Sequence, residues 1–545
     1  MSFANILQTP DKIFVRVENR IFPAQFLGGE KWEGHGIQIR TPVVSEQISV
    51  EVEAQNTRPE TIVLYWHHTF EPQSLFLGDH WERAYGDLGW LPLDPERISP
   101  WYILHFDGKF THGYGVLTGT SSMAFWQITE QGIFLWLDVR CGGTGVDLTG
   151  RVLTAATIVS REGQENESSF EAAKNFCTMM CPNPRLPAER VYGGNNWYTD
   201  YGNTSRKGVL DQAETISQLA GNQKTRPFML VDDGWQICHF ESCAGGPWTA
   251  GNYLFPNFTD LAGELKDKGV RPGLWFRPLI TAEQFPDECL LPQNRFKSGL
   301  ENSFTKTQYL DPSTPAVLEK LAEDIQRFTD WGFELIKHDF STYDILGRWG
   351  FQMGGILTNS GWSFHDKSKT TAEIIREFYL TLRRAAGDTY LMGCNTVSHL
   401  SAGIFELNRT GDDTSGREWE RTRKMGVNTL AFRLPQHNTF YASDPDCIGL
   451  TQNVPWDLNC QFMELTARSG SPLFLSIELK SFHKEQAEFV HRIFAESQII
   501  LERAEPLDWM QNRFPTSWSF DGQKKVFNWY PQLHVDVQSE VFRNI

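Results

Sequence analysis

The segment FELIKHDFSTYD, residues 333–344, places a lysine and a carboxylate directly after a short apolar run typical of a buried strand. Burying an unpaired carboxylate costs several kcal/mol, so Asp339 is expected at an open strand end beside a partner. Lys337 lies two residues earlier, on the same side of a strand, and its charge would favour the ionised form of Asp339. Such a carboxylate could act as a nucleophile, although an aspartate that caps the next helix would give the same pattern.

A second acidic group lies in RTGDDTSG, where Asp412 and Asp413 are adjacent. Glycosidic bond cleavage needs two carboxyl groups, one as nucleophile or base and one as acid. The like charge of the neighbouring carboxylate could keep a proton on one member of this pair, as an acid requires. Asp339 together with Asp412 or Asp413 could therefore cleave a glycosidic bond.

Further polar and aromatic residues follow other apolar runs of the chain. Carboxylates accept hydrogen bonds from sugar hydroxyls, and an indole face packs on the apolar side of a pyranose. The strand ends contain too few histidines for a metal-dependent barrel enzyme, and neither a metal nor a cofactor is expected. The residues expected at these strand ends are Asn195–Tyr198, Asp232–Trp235, Trp275–Pro278, Cys394–Asn395, Arg409–Asp413, and Asp444 with Asp446.

Alternation of short apolar runs with longer amphipathic segments predicts a central (β/α)8 barrel, a TIM barrel, over residues 186–503. Catalytic groups of such barrels stand at the carboxyl ends of the strands, where the residues above are expected. The eight candidate strands lie in segments 189–198, 226–235, 271–279, 333–340, 389–396, 403–413, 438–446 and 471–479.

The regions on either side of the barrel have strand patterns, so the protein is expected to be multidomain. Residues 1–185 contain short Val, Ile, Phe and Trp runs broken by turn residues, which predicts an N-terminal antiparallel β-sandwich, with a linking helix over 169–181. In 504–545, an Asp521-Gly522 hairpin signal predicts a small C-terminal β-rich segment.

Composition excludes some partners and leaves others open. The 545 residues carry 50 Lys plus Arg against 67 Asp plus Glu, a net charge of −17, which argues against nucleic acid and anionic membranes as partners. Without a secretion signal or an 18-residue apolar run, a cytoplasmic location is expected, although a trimmed secreted form would look the same. The sequence leaves open whether the protein forms a homo-oligomer. The nine cysteines favour free thiols over a disulfide or a metal site.

Several motifs resemble those of the α-galactosidase (melibiase) clan of glycoside hydrolases, families twenty-seven and thirty-six, and the thirty-six type most closely. NNWY looks like the strand-one Trp motif, VDDGWQ like the DDGW motif, and RPGLWFRP like the third-strand motif. IKHDF is similar to the Lys-x-Asp nucleophile motif, and RTGDDTSG resembles the acid/base segment. The resemblance covers roughly residues 1–500.

This resemblance implies a retaining glycosidase that cleaves terminal α-galactosides or α-N-acetylgalactosaminides. Asp339 would form a covalent glycosyl-enzyme, and its partner carboxyl would lie about 5–5.5 Å away. For the acid/base, the TGD pattern favours Asp412, whereas the spacing from Arg409 favours Asp413. Asp232 and Asp233 match the pair that binds the distal hydroxyls of galactose. The other candidate sugar contacts are Trp197, Trp235, Trp275, Lys337, Asn395 and Arg409.

The chain departs from the family pattern at two positions that leave the exact sugar open. His338 stands where Trp or another apolar residue is common, and GCNTVSHLSAG replaces the Gly-rich Cys motif that usually touches the 2-substituent. The expected partner is an α-linked galactoside oligosaccharide or glycoconjugate. Three alternatives are a galactosyl transglycosidase with the same chemistry, a non-catalytic sugar-binding protein, and a barrel enzyme of unrelated chemistry.

Overall fold

The computed structural model describes residues 3–239, 245–296, 307–501 and 503–530. Its N-terminal part consists of antiparallel strands in two sheets. One sheet has the order β11-β14-β15-β8-β1-β2, and the other has the order β10-β9-β12-β13-β16-β7-β5-β4-β3, with β6 also paired to β7. The strands are β1 (Lys12–Val17), β2 (Arg20–Pro23), β3 (Gln25–Gly28), β4 (Lys31–Gly34), β5 (Ile37–Arg40), β6 (Val43–Val44), β7 (Gln47–Ala54), β8 (Thr61–His67), β9 (Leu75–Gly78), β10 (Leu91–Pro92), β11 (Ile98–Pro100), β12 (Tyr102–Phe106), β13 (Thr111–Val116), β14 (Met123–Thr129), β15 (Gly132–Asp138) and β16 (Leu153–Arg161).

Strand β7 shows why this region forms layered sheets. Its buried positions, Ile48, Val50, Val52 and Ala54, alternate with half-buried ones, as expected for a strand with one face in a core. The predicted strand-rich N-terminal region is confirmed. The predicted linking helix is α1 (Ser169–Met180), which begins with a capping box between Ser168 and Glu171.

The central sheet is parallel and curls back on itself. Its order is β25-β24-β23-β22-β19-β18-β17-β27-β26, and only residues 445–447 separate the two edge strands β25 and β26, so the two edges are brought close together. Each of the eight predicted segments contains one of its strands, which confirms a TIM-barrel-like fold, and β26 is a ninth strand that the sequence analysis did not predict. The strands are β17 (Tyr192–Asn195), β18 (Phe228–Val231), β19 (Arg271–Phe276), β22 (Leu335–His338), β23 (Tyr390–Gly393), β24 (Leu407–Arg409), β25 (Ala442–Asp444), β26 (Ile448–Leu450) and β27 (Leu473–Ile477).

Helices cover the outside of this sheet, and short elements line its loops. A small antiparallel pair, β20 (Ile280–Thr281) and β21 (Gln308–Tyr309), lies between β19 and β22. The helices are α2 (Trp197–Asp200), α3 (Arg206–Ala220), α4 (Phe258–Asp267), α5 (Pro315–Asp330), α6 (Ser341–Leu346), α7 (Thr371–Ala386), α8 (Ser398–Ser401), α9 (Trp419–Thr422), α10 (Thr429–Arg433), α11 (Trp456–Ser469) and α12 (Lys484–Ser497).

After the barrel, the chain forms a three-stranded antiparallel sheet of β28 (Ala504–Pro506), β29 (Ser517–Phe520) and β30 (Gln523–Val526). Asp521 and Gly522 both have positive φ, as a two-residue hairpin turn requires. Residues 531–545 of the predicted C-terminal segment lie outside the described residues.

Two further features concern the described ranges as a whole. No helix in them is both long and apolar enough to cross a membrane. Eight cysteines in these ranges are free thiols. Cys243, the ninth, lies outside the described residues.

Candidate active site

Strand β22 sends alternate side chains to opposite sides. Lys337 Nζ lies 2.7 Å from Asp232 Oδ2 at the end of β18. Trp275 Nε1 at the end of β19 donates a 3.0 Å hydrogen bond to Asp339 Oδ2. Three strand ends are therefore joined by direct side-chain contacts, as the sequence predicts for a barrel mouth.

Asp339 is a buried carboxylate with several compensating contacts. Its Oδ1 accepts a 2.8 Å hydrogen bond from the backbone N–H of Phe340. Burial alone would raise the pKa of Asp339, but the charges of Lys337 and Arg83 and the hydrogen bond from Trp275 outweigh it and lower that pKa. Asp339 is therefore held ionised, as a nucleophile requires.

The backbone turns sharply immediately after Asp339. Phe340 has a φ of 62°, in the left-handed region that costs energy for a residue with a side chain. Its ring lies 4.1 Å from the Arg277 guanidinium, and Arg277 in turn forms a two-pronged ion pair with buried Asp344. These contacts stabilise the turn and fix the direction of the Asp339 side chain.

His338 points to the other side of β22. It is fully buried between the rings of Phe378, Tyr379 and Phe405. Neither ring nitrogen has a hydrogen-bond partner within the described part of the chain. Burial lowers the pKa of His338 to about 3, so the imidazole is neutral. The unusual residue of the IKHDF motif thus packs against the helix layer rather than the mouth.

The two aspartates after β18 have different surroundings. Asp232 is buried, accepts a 2.7 Å hydrogen bond from Asn195 Nδ2 and pairs with Lys337. Burial raises the pKa of Asp232, although Lys337 and Asn195 oppose that shift. Asp233 is half-buried and accepts a 2.6 Å hydrogen bond from Gln236 Nε2. Asp233 is therefore the more accessible of the two.

The three candidate tryptophans are not equivalent. Trp197, at the start of α2, is half-buried, and its ring centroid lies 5.7 Å from that of Tyr201. Trp275 reaches Asp339, as described above. Trp235 is fully buried, packs against Trp248 and donates a 3.0 Å hydrogen bond to the carbonyl of Trp275. Both Trp235 and Trp275 are fully buried, and of the two only Trp275 directs its N–H at Asp339.

Strand β24 brings Arg409, Asp412 and Asp413 to the mouth. Arg409 Nη2 lies 2.8 Å from Asp446 Oδ2 and 3.2 Å from Asp413 Oδ1. The side chain of Asp413 is 39% exposed, whereas that of Asp412 is 17% exposed. Burial would raise the pKa of Asp413, but Arg83, Arg409 and Lys337 lower it to about 2.

Arg83 and Glu82 belong to the site and were missed by the sequence analysis. Both lie in residues 79–90, the loop between β9 and β10, here called the 79–90 loop. Arg83 Nη2 lies 2.6 Å from Asp412 Oδ1, and Nη1 lies 3.3 Å from Asp413 Oδ1. No motif signals this approach, because 330 residues separate Arg83 from Asp413.

Asn395, the candidate at the end of β23, is fully buried and occupied by protein contacts. Its Nδ2 donates to Glu82 Oε2, and its Oδ1 accepts a 3.2 Å hydrogen bond from the backbone N–H of Tyr343. Glu82 also accepts a 2.8 Å hydrogen bond from the Gly350 N–H. Asn395 thus joins the strand end to the 79–90 loop, and its amide is not directed at open space.

Two aspartates lie at the end of β25, Asp444 as its last residue and Asp446 just after it. Asp446 accepts a 2.8 Å hydrogen bond from the Thr414 N–H in addition to its ion pair with Arg409. Asp444 is buried, and burial raises its pKa to about 7.

In the described ranges, no three His, Cys, Asp or Glu side chains are grouped so that they could hold a metal ion.

Comparison with known proteins supplies the fold but no family assignment by sequence. No protein-family model matches the chain. The α-galactosidase TtGalA from Thermus thermophilus superposes with a TM-score of 0.60 at 16% identity, covering 95% of this chain and 99% of that one. The chain has the fold of an α-galactosidase.

Two further solved structures agree. The galactosidase domain of AgaSK has a TM-score of 0.58 at 14% identity, covering 88% of this chain and 68% of that one. The family thirty-six α-galactosidase AgaA from Geobacillus stearothermophilus has a TM-score of 0.57 at 12% identity, covering 89% and 75%. At these identities, the likeness establishes the fold alone.

Proposed function

We propose that the protein is a retaining glycoside hydrolase that cleaves terminal α-galactosides. The observation that carries this proposal is the pairing of an ionised, buried carboxylate, Asp339, with a more exposed carboxylate, Asp413. The charge of Asp413 acts on Asp339, where it raises the pKa, so the two groups are electrostatically coupled across the mouth. Two such carboxyl groups are what glycosidic bond cleavage requires.

In the first step, an Asp339 oxygen attacks the anomeric carbon while the bond from that carbon to the leaving oxygen breaks. Asp413, which the neighbouring cations hold ionised in the unliganded protein, must first take up a proton from solvent; it then gives this proton to the leaving oxygen, and a covalent glycosyl-Asp339 ester forms. In the second step, Asp413 takes a proton from water, and the resulting hydroxide oxygen attacks the anomeric carbon. The ester bond breaks and Asp339 is released as a carboxylate. Two inversions give net retention of configuration.

Asp413 fits the acid/base role better than Asp412. The carboxylate of Asp412 lies between two guanidinium groups, 2.6 Å from Arg83 Nη2 and 2.8 Å from Arg421 Nη2. Asp413 receives both of its arginine contacts on Oδ1 and is more than twice as exposed. We therefore assign proton transfer to Asp413, and we assign to Asp412 the role of holding the Arg83 guanidinium in place.

The sugar would lie at Asp339, beside the edge of the buried Trp275 indole, with its distal hydroxyls at Asp233 and at the Lys337–Asp232 pair. Solved structures of the same fold support a galactoside as substrate. TtGalA has been solved with p-nitrophenyl α-D-galactopyranoside and with stachyose, and a doubly substituted variant of AgaA has been solved with raffinose. Trp235 and Asn395 are left out of the proposed sugar contacts because the Trp235 indole donates to a backbone carbonyl and both ends of the Asn395 amide are bound by protein, whereas Trp275, although equally buried, donates to Asp339.

A panel of aryl α-glycosides tests the proposal: galactoside, N-acetylgalactosaminide, glucoside and arabinoside. Wild type should turn over the galactoside, and Asp339→Ala should lose at least about 10³-fold in kcat. Asp147→Ala, which removes a carboxylate in an ion pair with Arg58 between two loops of the N-terminal region, is the matched control and should retain wild-type activity. Azide should restore turnover of Asp339→Ala with inverted product. Turnover of no substrate by wild type, or an active Asp339→Ala, would overturn the proposal.

A further inference from the structure

The 79–90 loop is fixed to the barrel at both ends. At its start, Arg433 Nε and Gln436 Nε2 each donate a 2.8 Å hydrogen bond to a carboxylate oxygen of buried Asp79. At its end, Asn428 Nδ2 donates a 2.9 Å hydrogen bond to the carbonyl of Leu88. Each of these partners lies in the segment between β24 and β25, so hydrogen bonds tie both ends of the loop to the region around the barrel strands.

The middle of the loop pairs with the segment that carries the acid/base candidates. The Ala84 N–H donates to the Thr410 carbonyl at 2.9 Å, and the Asp412 N–H donates to the Ala84 carbonyl at 2.8 Å. Ala84 thus lies beside Gly411 as a short parallel bridge. This backbone register places the Arg83 side chain directly against Asp412 and Asp413.

The Arg83 guanidinium is enclosed on three sides. Its side chain is only 7% exposed, and besides the two aspartates it lies 3.6 Å from Cys394 Sγ and 5.7 Å from the ring centre of Trp349. Arg83 and Arg409 both approach the same oxygen of Asp413, Oδ1, at 3.3 and 3.2 Å. Two rigid donors on one oxygen fix the plane of the carboxylate and leave Oδ2 for the reacting atoms.

We propose that Arg83, delivered by the N-terminal domain, is the positioning residue that orients Asp413 for proton transfer to the leaving group. This inference rests on the proposed function, since it concerns the acid/base of that reaction. It assigns to the N-terminal domain a direct part in the chemistry, beyond support of the barrel.

The charge of Arg83 has a second consequence. The pKa of Asp413, which burial alone would raise, is lowered by Arg83 and by the other cations near it. Without Arg83 that pKa rises toward its ordinary value. Because the acid must be protonated in the first step, the basic limb of the pH profile then moves to higher pH. The charged and titratable groups facing Asp413 are Arg83, Arg409, Lys337, Arg421, Asp339 and Tyr198.

Leaving-group dependence separates positioning from general structural damage. Methoxide needs a proton to leave, whereas p-nitrophenolate needs little help, so loss of acid catalysis affects methyl α-galactoside more than p-nitrophenyl α-galactoside. The experiment measures kcat/KM against pH for both substrates in wild type, Arg83→Gln, Arg83→Lys and the control Arg97→Gln. Arg97 lies in the same domain, half-buried, and donates a 3.3 Å hydrogen bond to the Pro92 carbonyl.

Arg83→Gln should lose roughly 10-fold more on methyl α-galactoside than on p-nitrophenyl α-galactoside, and its basic limb should move up by about half a pH unit or more. Arg83→Lys keeps the charge without the two-donor fork. It should therefore retain the basic limb of the wild-type pH profile and still show the larger loss on methyl α-galactoside. This variant tests the proposal even if Arg83→Gln folds poorly. Arg97→Gln should match wild type.

Equal losses on both substrates with an unmoved limb would overturn the positioning role, as would wild-type kinetics in Arg83→Gln. Either result leaves the proposed function standing, because it requires an active wild type. An inactive wild type would instead remove the proposed function, and this inference with it.

Discussion

Lys337 Nζ lies 2.7 Å from Asp232 Oδ2, and Lys337 also faces Asp339, two residues further along the chain. Burial raises the pKa of Asp339, and the cation counteracts it. One lysine therefore compensates two buried carboxylates, one at the candidate nucleophile and one at the candidate sugar-binding end. Removing it should damage both stability and catalysis.

Lys337→Met should reduce the free energy of unfolding by roughly 3–5 kcal/mol, because it leaves Asp232 buried without its cation. Urea denaturation of Lys337→Met, Asp232→Asn and the double variant measures this coupling. The double variant should be markedly more stable than the sum of the two single effects predicts. Strict additivity would show that the pair contributes nothing of its own. Any residual activity of Lys337→Met should have its acid limb at higher pH, since the pKa of Asp339 rises.

Trp275 and Trp235 offer a matched comparison of a site indole and a core indole. Trp275→Phe removes the N–H that donates to Asp339, so kcat/KM should fall by about 10-fold or more and the acid limb should move up. Trp235→Phe removes a hydrogen bond to a backbone carbonyl, so it should cost about 1–3 kcal/mol of stability with little change in the acid limb. If the acid limb of the pH profile shifts in Trp235→Phe and not in Trp275→Phe, then Trp235 is the site residue and Trp275 the core residue.

Substitutions of Asp413 and Asp412 should differ in how strongly the loss of activity depends on the leaving group of the substrate. Asp413→Asn should lose at least about 10²-fold on methyl α-galactoside and much less on p-nitrophenyl α-galactoside, since it lacks the acid. Asp412→Asn should lose less, and by similar factors on both substrates, because it only loosens Arg83. If the leaving-group effect instead appears in Asp412→Asn, the acid/base is Asp412.

Asp444 should make stability depend on pH. Burial raises its folded-state pKa to about 7, above the unfolded value of about 3.9. The folded state therefore binds an extra proton between these values, and the stability from this group, fully present below about pH 4, is lost as pH rises through 7. Asp444→Asn should flatten the decline in Tm between pH 5 and 8. An unchanged slope in the variant would show that another group is responsible.

Much of the barrel mouth could be predicted because its residues sit beside strands with strong local patterns. The apolar run before Asp339, the spacing of Lys337 from it and the acidic ending of β18 are all local, and the structure brings these residues together. Trp235 could not be placed, since the chain turns at Gly234, φ 122°, and sends the indole into the aromatic core.

The contribution of the 79–90 loop could not be predicted for a different reason. Arg83 and Glu82 reach the mouth only because the 79–90 loop packs against the end of β24, and the contacts that fix them, such as the pairing of Ala84 with Thr410, carry no side-chain signature. The contact of Asn395 with Glu82 could not be predicted for the same reason, because the two residues are 313 positions apart. Proximity to a strand end in the sequence identifies which residues can reach the mouth. Tertiary packing decides which of them are already hydrogen-bonded to other protein groups there.

The most direct test of the account is covalent trapping of the intermediate. Wild type would be incubated with an activated fluorinated α-galactoside that slows hydrolysis of the glycosyl-enzyme, and the labelled peptide would be sequenced by mass spectrometry. If Asp339 is the nucleophile, one galactosyl adduct per chain forms, on Asp339, and none forms in Asp339→Ala. An adduct on another carboxylate, or none in a wild-type enzyme that the reagent inactivates, would contradict this assignment.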